Sequence, residues 1–306
     1  MKASDAPFYS SALVQFEELM GAARAASPQT LPLSLFYALS QAGRAIAAAR
    51  LDGEWRLQGH GLESSDLDAE NLCQVRIRAK PTKKRQPDSF GGVCRATDGE
   101  PLRSSTTIGE LWASLPGMEM LLPEVEVRKP LYVEVLEMGN SPLEDVTKVQ
   151  ATVAPLEAKS VSAARKALTK YRCGSEAEVI EMQHMAPIHR LTSYGEGVAV
   201  WWPSGATEIH GHWLAIEQLA PLDLYTEQRW LRPLLGGGTS LSVLMTWWAL
   251  LHALSMLARY EPAAWARALA YDSSSLAAPL AELLRCGLEL IPQLVLESLY
   301  ADQPEC

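Results

Sequence analysis

Apolar residues recur every three or four positions between Thr30 and Leu51, where Leu35, Leu39, Ala42 and Ile46 fall on one side of LPLSLFYALSQAGRAIAAARL. That spacing predicts a helix with one inward face, and it leaves Gln41, Arg44 and Arg50 free to point elsewhere. Proline in the first turn and Asp52-Gly53 behind the last one supply its start and stop. A shorter helix is predicted before it, over 11–26.

The period changes after Asn71. In CQVRIRAK the residues Cys73, Val75, Ile77 and Ala79 alternate with Gln74, Arg76, Arg78 and Lys80, which is the two-residue period of a half-buried strand. Weaker strand signals follow at 131–136, 148–153, 178–182 and 197–202, with short helices at 107–115 and 161–171.

Beyond Gly236-Gly237-Gly238, where Thr239 or Ser240 offers a helix cap, the run LSVLMTWWALLHALSMLA from Leu241 to Ala258 carries no formal charge. It meets the minimum length for a membrane span. However, Thr246, His252 and Ser255 interrupt it, and a helix apolar all round is more often the centre of a soluble bundle. Pro262 sets a boundary, AAWARALAY restarts the helix, and Leu276, Leu280, Leu283, Leu284, Gly287, Ile291, Leu294 and Val295 mark a last amphipathic stripe containing Pro292.

The expected fold class is therefore α+β. Helical N- and C-terminal segments, 1–69 and 236–306, pack together as one α-helical bundle around the buried apolar helix. A mixed, strand-rich middle over 70–235 is an excursion from it.

Composition narrows the function classes. A net charge of -9 and a pI near 5.3 argue against long-range attraction of the whole molecule to nucleic acid or anionic lipid. Cys73, Cys94, Cys173, Cys286 and Cys306 are scattered, odd in number and without a CxxC pair, which disfavours a disulfide framework and fits a reducing cytoplasm. The N-terminus has no continuous apolar core of a secretion signal. No membrane association is expected.

Candidate chemistry is local. Gln41 and Arg44 share a helical face, and if the loop 52–67 folds back over that helix, His60 between Gly59 and Gly61 joins them in an anion pocket. Arg259 and Tyr260 end the apolar helix, where the arginine complements the helix dipole and Trp265 is placed to pack beneath it. A basic cluster, Arg76, Arg78, Lys80, Lys83, Lys84 and Arg85, is the nucleic-acid candidate, although no interleaved aromatic residues accompany it. The pairs His184/His189 and His210/His212 lack a carboxylate or cysteine at zinc spacing, so neither metal nor cofactor is expected. GGGTS lacks the lysine of a P-loop, and Ser193 and Ser204 lack a GxSxG elbow.

Three stretches together, FYALSQAGRAIAAA at Phe36 to Ala49, GHGL at Gly59 to Leu62 and ALSMLARYEPAAW at Ala253 to Trp265, resemble the bacterial YaaC-like proteins over nearly the whole chain. The resemblance implies a bacterial, largely helical protein with a β-containing centre, and it carries no catalytic set. HEPN-type helical domains are a natural comparison, but their arginine, four to six spacers and histidine are absent, since Arg56 and His60 have three residues between them.

Two functions are expected on these grounds. The first is a noncatalytic binding or assembly subunit of a bacterial intracellular system, defence or nucleic-acid associated, with a protein partner or a homo-oligomer gathered by tryptophan-rich surfaces such as Trp201-Trp202. The second is a HEPN-like or other phosphate-substrate enzyme, with Arg44 and Arg259 as charge clamps and His60 in proton transfer.

Overall fold

A computed structural model describes residues 5–52, 55–81, 87–97, 99–122, 127–135, 148–156, 158–172, 174–180, 189–192, 195–203, 208–209, 212–213, 223–225 and 228–300. The chain forms two compact units, one of residues 1–128 with 235–306, the other of residues 129–234.

The first unit is built on helices. α1 (Ala6–Ala25) buries Ala12, Phe16, Met20 and Ala23 against α2 (Leu31–Arg50), whose predicted stripe Leu35, Leu39, Ala42 and Ile46 is wholly buried. β1 (Leu62–Ser65), β2 (Arg76–Ala79) and β3 (Thr106–Thr107) make a small antiparallel sheet, accompanied by α3 (Ser89–Ala96) and α4 (Ile108–Ala113). Thr107 and Glu110 close a reciprocal capping box on α4, each accepting from the other's backbone N–H at 2.9–3.1 Å.

The apolar run becomes α6 (Val243–Tyr260), with Trp247, Trp248, Leu250, Leu251 and Leu254 fully buried. α2, α4 and α8 (Ala277–Tyr300) pack on it. Among the described residues, no helix is long and apolar enough to cross a membrane. The helix begins two residues later than expected, because Ser242 is its cap and accepts from the Met245 N–H at 3.2 Å. Thr239 is used differently: its hydroxyl accepts from the Arg103 N–H at 3.1 Å and donates to the Gly236 carbonyl at 3.2 Å, tying the glycine turn to the 103–104 segment.

Two glycines set the helix spacing. A Cβ on Gly43 would overlap the indole of Trp248, so α2 meets α6 across a bare backbone. Gly287 does the same for α8, where a Cβ would lie 3.3 Å from the Trp247 ring. After Pro262 the chain restarts as α7 (Pro262–Ala268), and α8 buries the expected positions from Leu280 to Val295, with Pro292 inside it.

Residues 70–128, expected in the strand-rich middle, pack instead in the helical unit. The reason lies in the alternation already visible in CQVRIRAK: Val75 and Ile77 are fully buried, as is Trp112 of α4, and these elements lean on α6. The first three residues of that motif's apolar series do not all join the strand, because 72–74 form a 3-10 turn capped by Asn71.

The second unit holds a seven-stranded antiparallel sheet among its described residues. β4 (Leu131–Val135), β5 (Lys148–Ala154) and β8 (Gly195–Pro203) form its centre, with β6 (Glu178–Val179) and β7 (His189–Thr192) both on β8, and β12 (Gln228–Leu231) and β11 (Asp223–Tyr225) beyond β4. One face, including Val133, Val153, Val198 and Val200, packs with Ala164 and Leu168 of α5 (Val161–Leu168). β9 (Glu208–Ile209) and β10 (His212–Trp213) form a separate pair.

Candidate functional site

The site lies in the helical unit, where the loop before β1 meets α2 and the C-terminal half of α6. Gly59 and Gly61 both adopt left-handed backbone, at φ +70° and +76°, which places His60 at the apex of a tight excursion. The loop is fixed from α3: the N–H groups of Ser89 and Phe90 donate to the carbonyls of Gly59 and His60 at 3.1 Å, and the Ser89 hydroxyl adds a 2.7 Å bond to Gly59. Asp88 caps α3 by accepting from the Gly91 N–H at 2.7 Å, and its carboxylate fills the space that a Cβ on Gly61 would need. The loop does fold back over α2.

His60 is exposed, and its ring centroid is 5.3 Å from Phe36 of α2 and 6.1 Å from His252 of α6. His252 lies behind it, 2 % exposed, edge-on to Phe36 at 5.3 Å, with Nδ1 3.3 Å from the Ser64 hydroxyl. Arg44 donates to Gln41 Oε1 at 3.3 Å along one face of α2. At the end of α6, Arg259 Nη1 donates to the Tyr37 hydroxyl at 2.9 Å and its guanidinium carbon is 5.0 Å from the Tyr260 ring centroid.

Electrostatics tie these groups together. Partial burial holds the His60 pKa below its usual value, and the positive charges of Arg259, Lys80 and Arg44 lower it further. Burial pushes His252 down to about 3, helped by His60 and Lys80. Arg44, Lys80 and Arg259 thus act on one imidazole, and among the described residues none of the three forms an ion pair.

The sequence candidates separate accordingly. Gln41 and Arg44 meet on α2, Arg259 meets Tyr260 at the end of α6, and the charges of Arg44 and Arg259 reach His60. Trp265 is buried and donates its indole N–H to the Gln29 carbonyl at 3.2 Å. Of the basic cluster, Arg78 is paired with Glu63 at 3.0 Å and Arg76 with Asp66 at 3.7 Å, while the Lys80 N–H donates to the carbonyl of Gly61, the neighbour of His60, at 2.9 Å. Lys83, Lys84 and Arg85 lie outside the described residues, as do His184, His210, Ser193 and Ser204; His189 and His212 are described only through strand pairing. Among the described residues no group of three or more His, Cys, Asp or Glu is placed to hold a metal ion. His252, Tyr37 and Ser64 were missed from sequence; the signal for the first was a single imidazole inside the uncharged run 241–258.

The stretches 36–49, 59–62 and 253–265 each deliver part of this cluster, and the model of the YaaC-like Protein family matches residues 3–299. The chain belongs to the YaaC-like family. No curated protein and no solved structure matches it.

Proposed function

We propose that this YaaC-like chain is a bacterial, cytoplasmic binding protein whose helical unit takes a phosphate-bearing anion. The observations that carry the reading are that the Lys80 N–H donates to the Gly61 carbonyl at 2.9 Å beside His60, that Arg259 donates to Tyr37 of α2 at 2.9 Å, and that Arg44 follows Tyr37 by two turns of that helix, all three without an ion pair among the described residues. Like charges held close to one another repel, and an anion relieves that repulsion while accepting charge-assisted hydrogen bonds. Arginine supplies a planar fork and lysine a point charge, a combination suited to phosphate oxygens. Cys73, Cys94 and Cys286 are free and buried, which supports a reducing compartment.

Titration calorimetry with inorganic pyrophosphate tests this reading. Arg44→Ala, Lys80→Ala and Arg259→Ala are each expected to weaken binding by about tenfold, the usual strength of a charged hydrogen bond. Arg285→Ala, which removes an arginine already paired with Glu282 and Glu289, leaves it unchanged. Wild-type affinity no greater than that of the three variants overturns it.

A second reading, an enzyme acting on the bound phosphate, is favoured by the lowered His60 pKa, which keeps a neutral, exposed imidazole ready to accept a proton. Release of inorganic phosphate from a phosphate ester, abolished in His60→Gln, would support it; turnover indifferent to that change removes it. The partner expectation is carried forward on Phe8 and Val14 of α1 and Leu296 and Tyr300 of α8, all exposed. Light scattering reads it directly, and a strict monomer that retains no partner from the native host removes it.

A further inference from the structure

The cationic face has an aromatic border that bare phosphate would leave unused. Tyr37 is 38 % and Tyr260 55 % exposed, both among the exposed large hydrophobic side chains of the chain. Arg259 joins them. Its Nη1 donates to the Tyr37 hydroxyl at 2.9 Å, its guanidinium carbon lies 5.0 Å from the centre of the Tyr260 ring, and its charge acts on His60.

An arginine bonded to one tyrosine hydroxyl and set over the ring of another, with no carboxylate partner among the described residues, has given up much of its rotational freedom before any ligand arrives. Flat π surfaces and guanidinium planes are what unpaired bases stack upon, whereas an inorganic anion gains nothing from them. The side chains divide by their contacts: Arg259 meets Tyr37 and Tyr260 directly and forms with them an aromatic rim, while Arg44 and Lys80 are the further cations whose charge reaches His60 and make with it a charged floor. A ligand that uses both parts must carry an aromatic ring and a phosphate on one frame.

We propose that the ligand is a nucleoside phosphate, its base stacked on Tyr260 and the Arg259 plane and its phosphates directed to Arg44, Lys80 and His60. This rests on the anion reading above and adds the base to it. The base–phosphate unit has two sources, a free nucleotide and the 5′-phosphorylated end of a strand, and both present the same chemistry to the rim and floor.

The test is calorimetry on the full chain with adenosine diphosphate, inorganic pyrophosphate and a 5′-phosphorylated tetranucleotide. The diphosphate is expected to bind about five- to a hundredfold tighter than pyrophosphate, the range given by base–aromatic stacking. Tyr260→Ala should bring that ratio to about one, and Tyr260→Phe, which keeps the ring, should preserve it. A tetranucleotide tighter than the diphosphate assigns the strand end as the source, and a weaker one assigns the free nucleotide; either supports the base–phosphate assignment when the ratio behaves as stated. If pyrophosphate binds as tightly as the diphosphate, or if Tyr260→Ala leaves the ratio intact, the base platform is overturned while the anion site stands. If neither ligand binds, both fall.

Discussion

His252 on α6 and Ser64 on β1 approach to 3.3 Å, Nδ1 to Oγ, at a point where the imidazole is 2 % exposed. The pairing gives a buried polar group a partner in the middle of an apolar helix, and it fastens the small sheet to that helix. A proton added to this ring would place a charge among Phe36, His60 and the nearby Lys80.

Acid stability follows from that burial. The folded His252 pKa, about 3, lies below the unfolded value near 6.5, so the unfolded chain binds the extra proton first. The contribution is full above about pH 6.5 and is lost as pH falls toward 3. Melting temperature measured from pH 7 to 4 should fall less steeply in His252→Gln than in wild type. Parallel profiles would show that this imidazole does not carry the acid sensitivity.

Anion binding should have the opposite pH trend. His60 faces Arg44 from α2, Lys80 from the end of β2, and Arg259 and His252 from α6, and its lowered pKa leaves it neutral near pH 7. Sulfate, which keeps its double charge throughout, favours the protonated ring, so its affinity should rise as pH drops below about 6.5. In His60→Gln the affinity should be flat over the same range, as read by calorimetry at constant ionic strength.

The two loop glycines should separate cleanly. Gly59→Ala meets open space and loses only the left-handed preference, about 1–2 kcal/mol. Gly61→Ala bears that cost and also drives a methyl into the Asp88 carboxylate, so urea denaturation should show the larger loss, together with weaker anion binding as His60 is displaced. Equal losses would mean that Asp88 moves aside freely.

The centre of the bundle should be intolerant. Leu251 and Leu254 are fully buried on α6. Leu251→Ala should cost about 2–5 kcal/mol by leaving a cavity, and Leu251→Asp or Leu254→Asp should prevent soluble folding by burying a carboxylate without a partner. A soluble aspartate variant with unchanged melting temperature would contradict the packing described for α6.

Much of this arrangement was legible in the chain. The 3.6-residue period of α2 and α8 and the uncharged run of α6 announced one bundle with shared termini, and the alternation in CQVRIRAK announced β2. What period alone does not encode is which face a strand leans on, so the assignment of 70–128 to the helical unit waited on Val75, Ile77 and Trp112 being seen against α6. α3 was not foreseen, since SFGGVCRA carries two glycines that lower helix propensity and needs the Asp88 cap to begin. In the site, Gln41 with Arg44 and the glycine-flanked His60 were readable from spacing. Lys80 was read only as one member of the basic run 76–85, and His252 was passed over because an imidazole on an apolar helix is ordinarily a core residue.

The helical unit is interrupted in sequence by residues 129–234, and this orders its biogenesis. α2 leaves the ribosome with Leu35, Leu39, Ala42 and Ile46 destined for partners on α6 and α8 that have not been synthesised. At about 5–20 residues per second, the stretch from the end of α2 at Arg50 to the end of α6 at Tyr260 takes about 10–40 s, and the apolar face waits for that time. Residues 1–128 therefore emerge as half of a core, in need of temporary cover from α1 or from a chaperone, and any truncation ahead of α6 would leave the wait without an end.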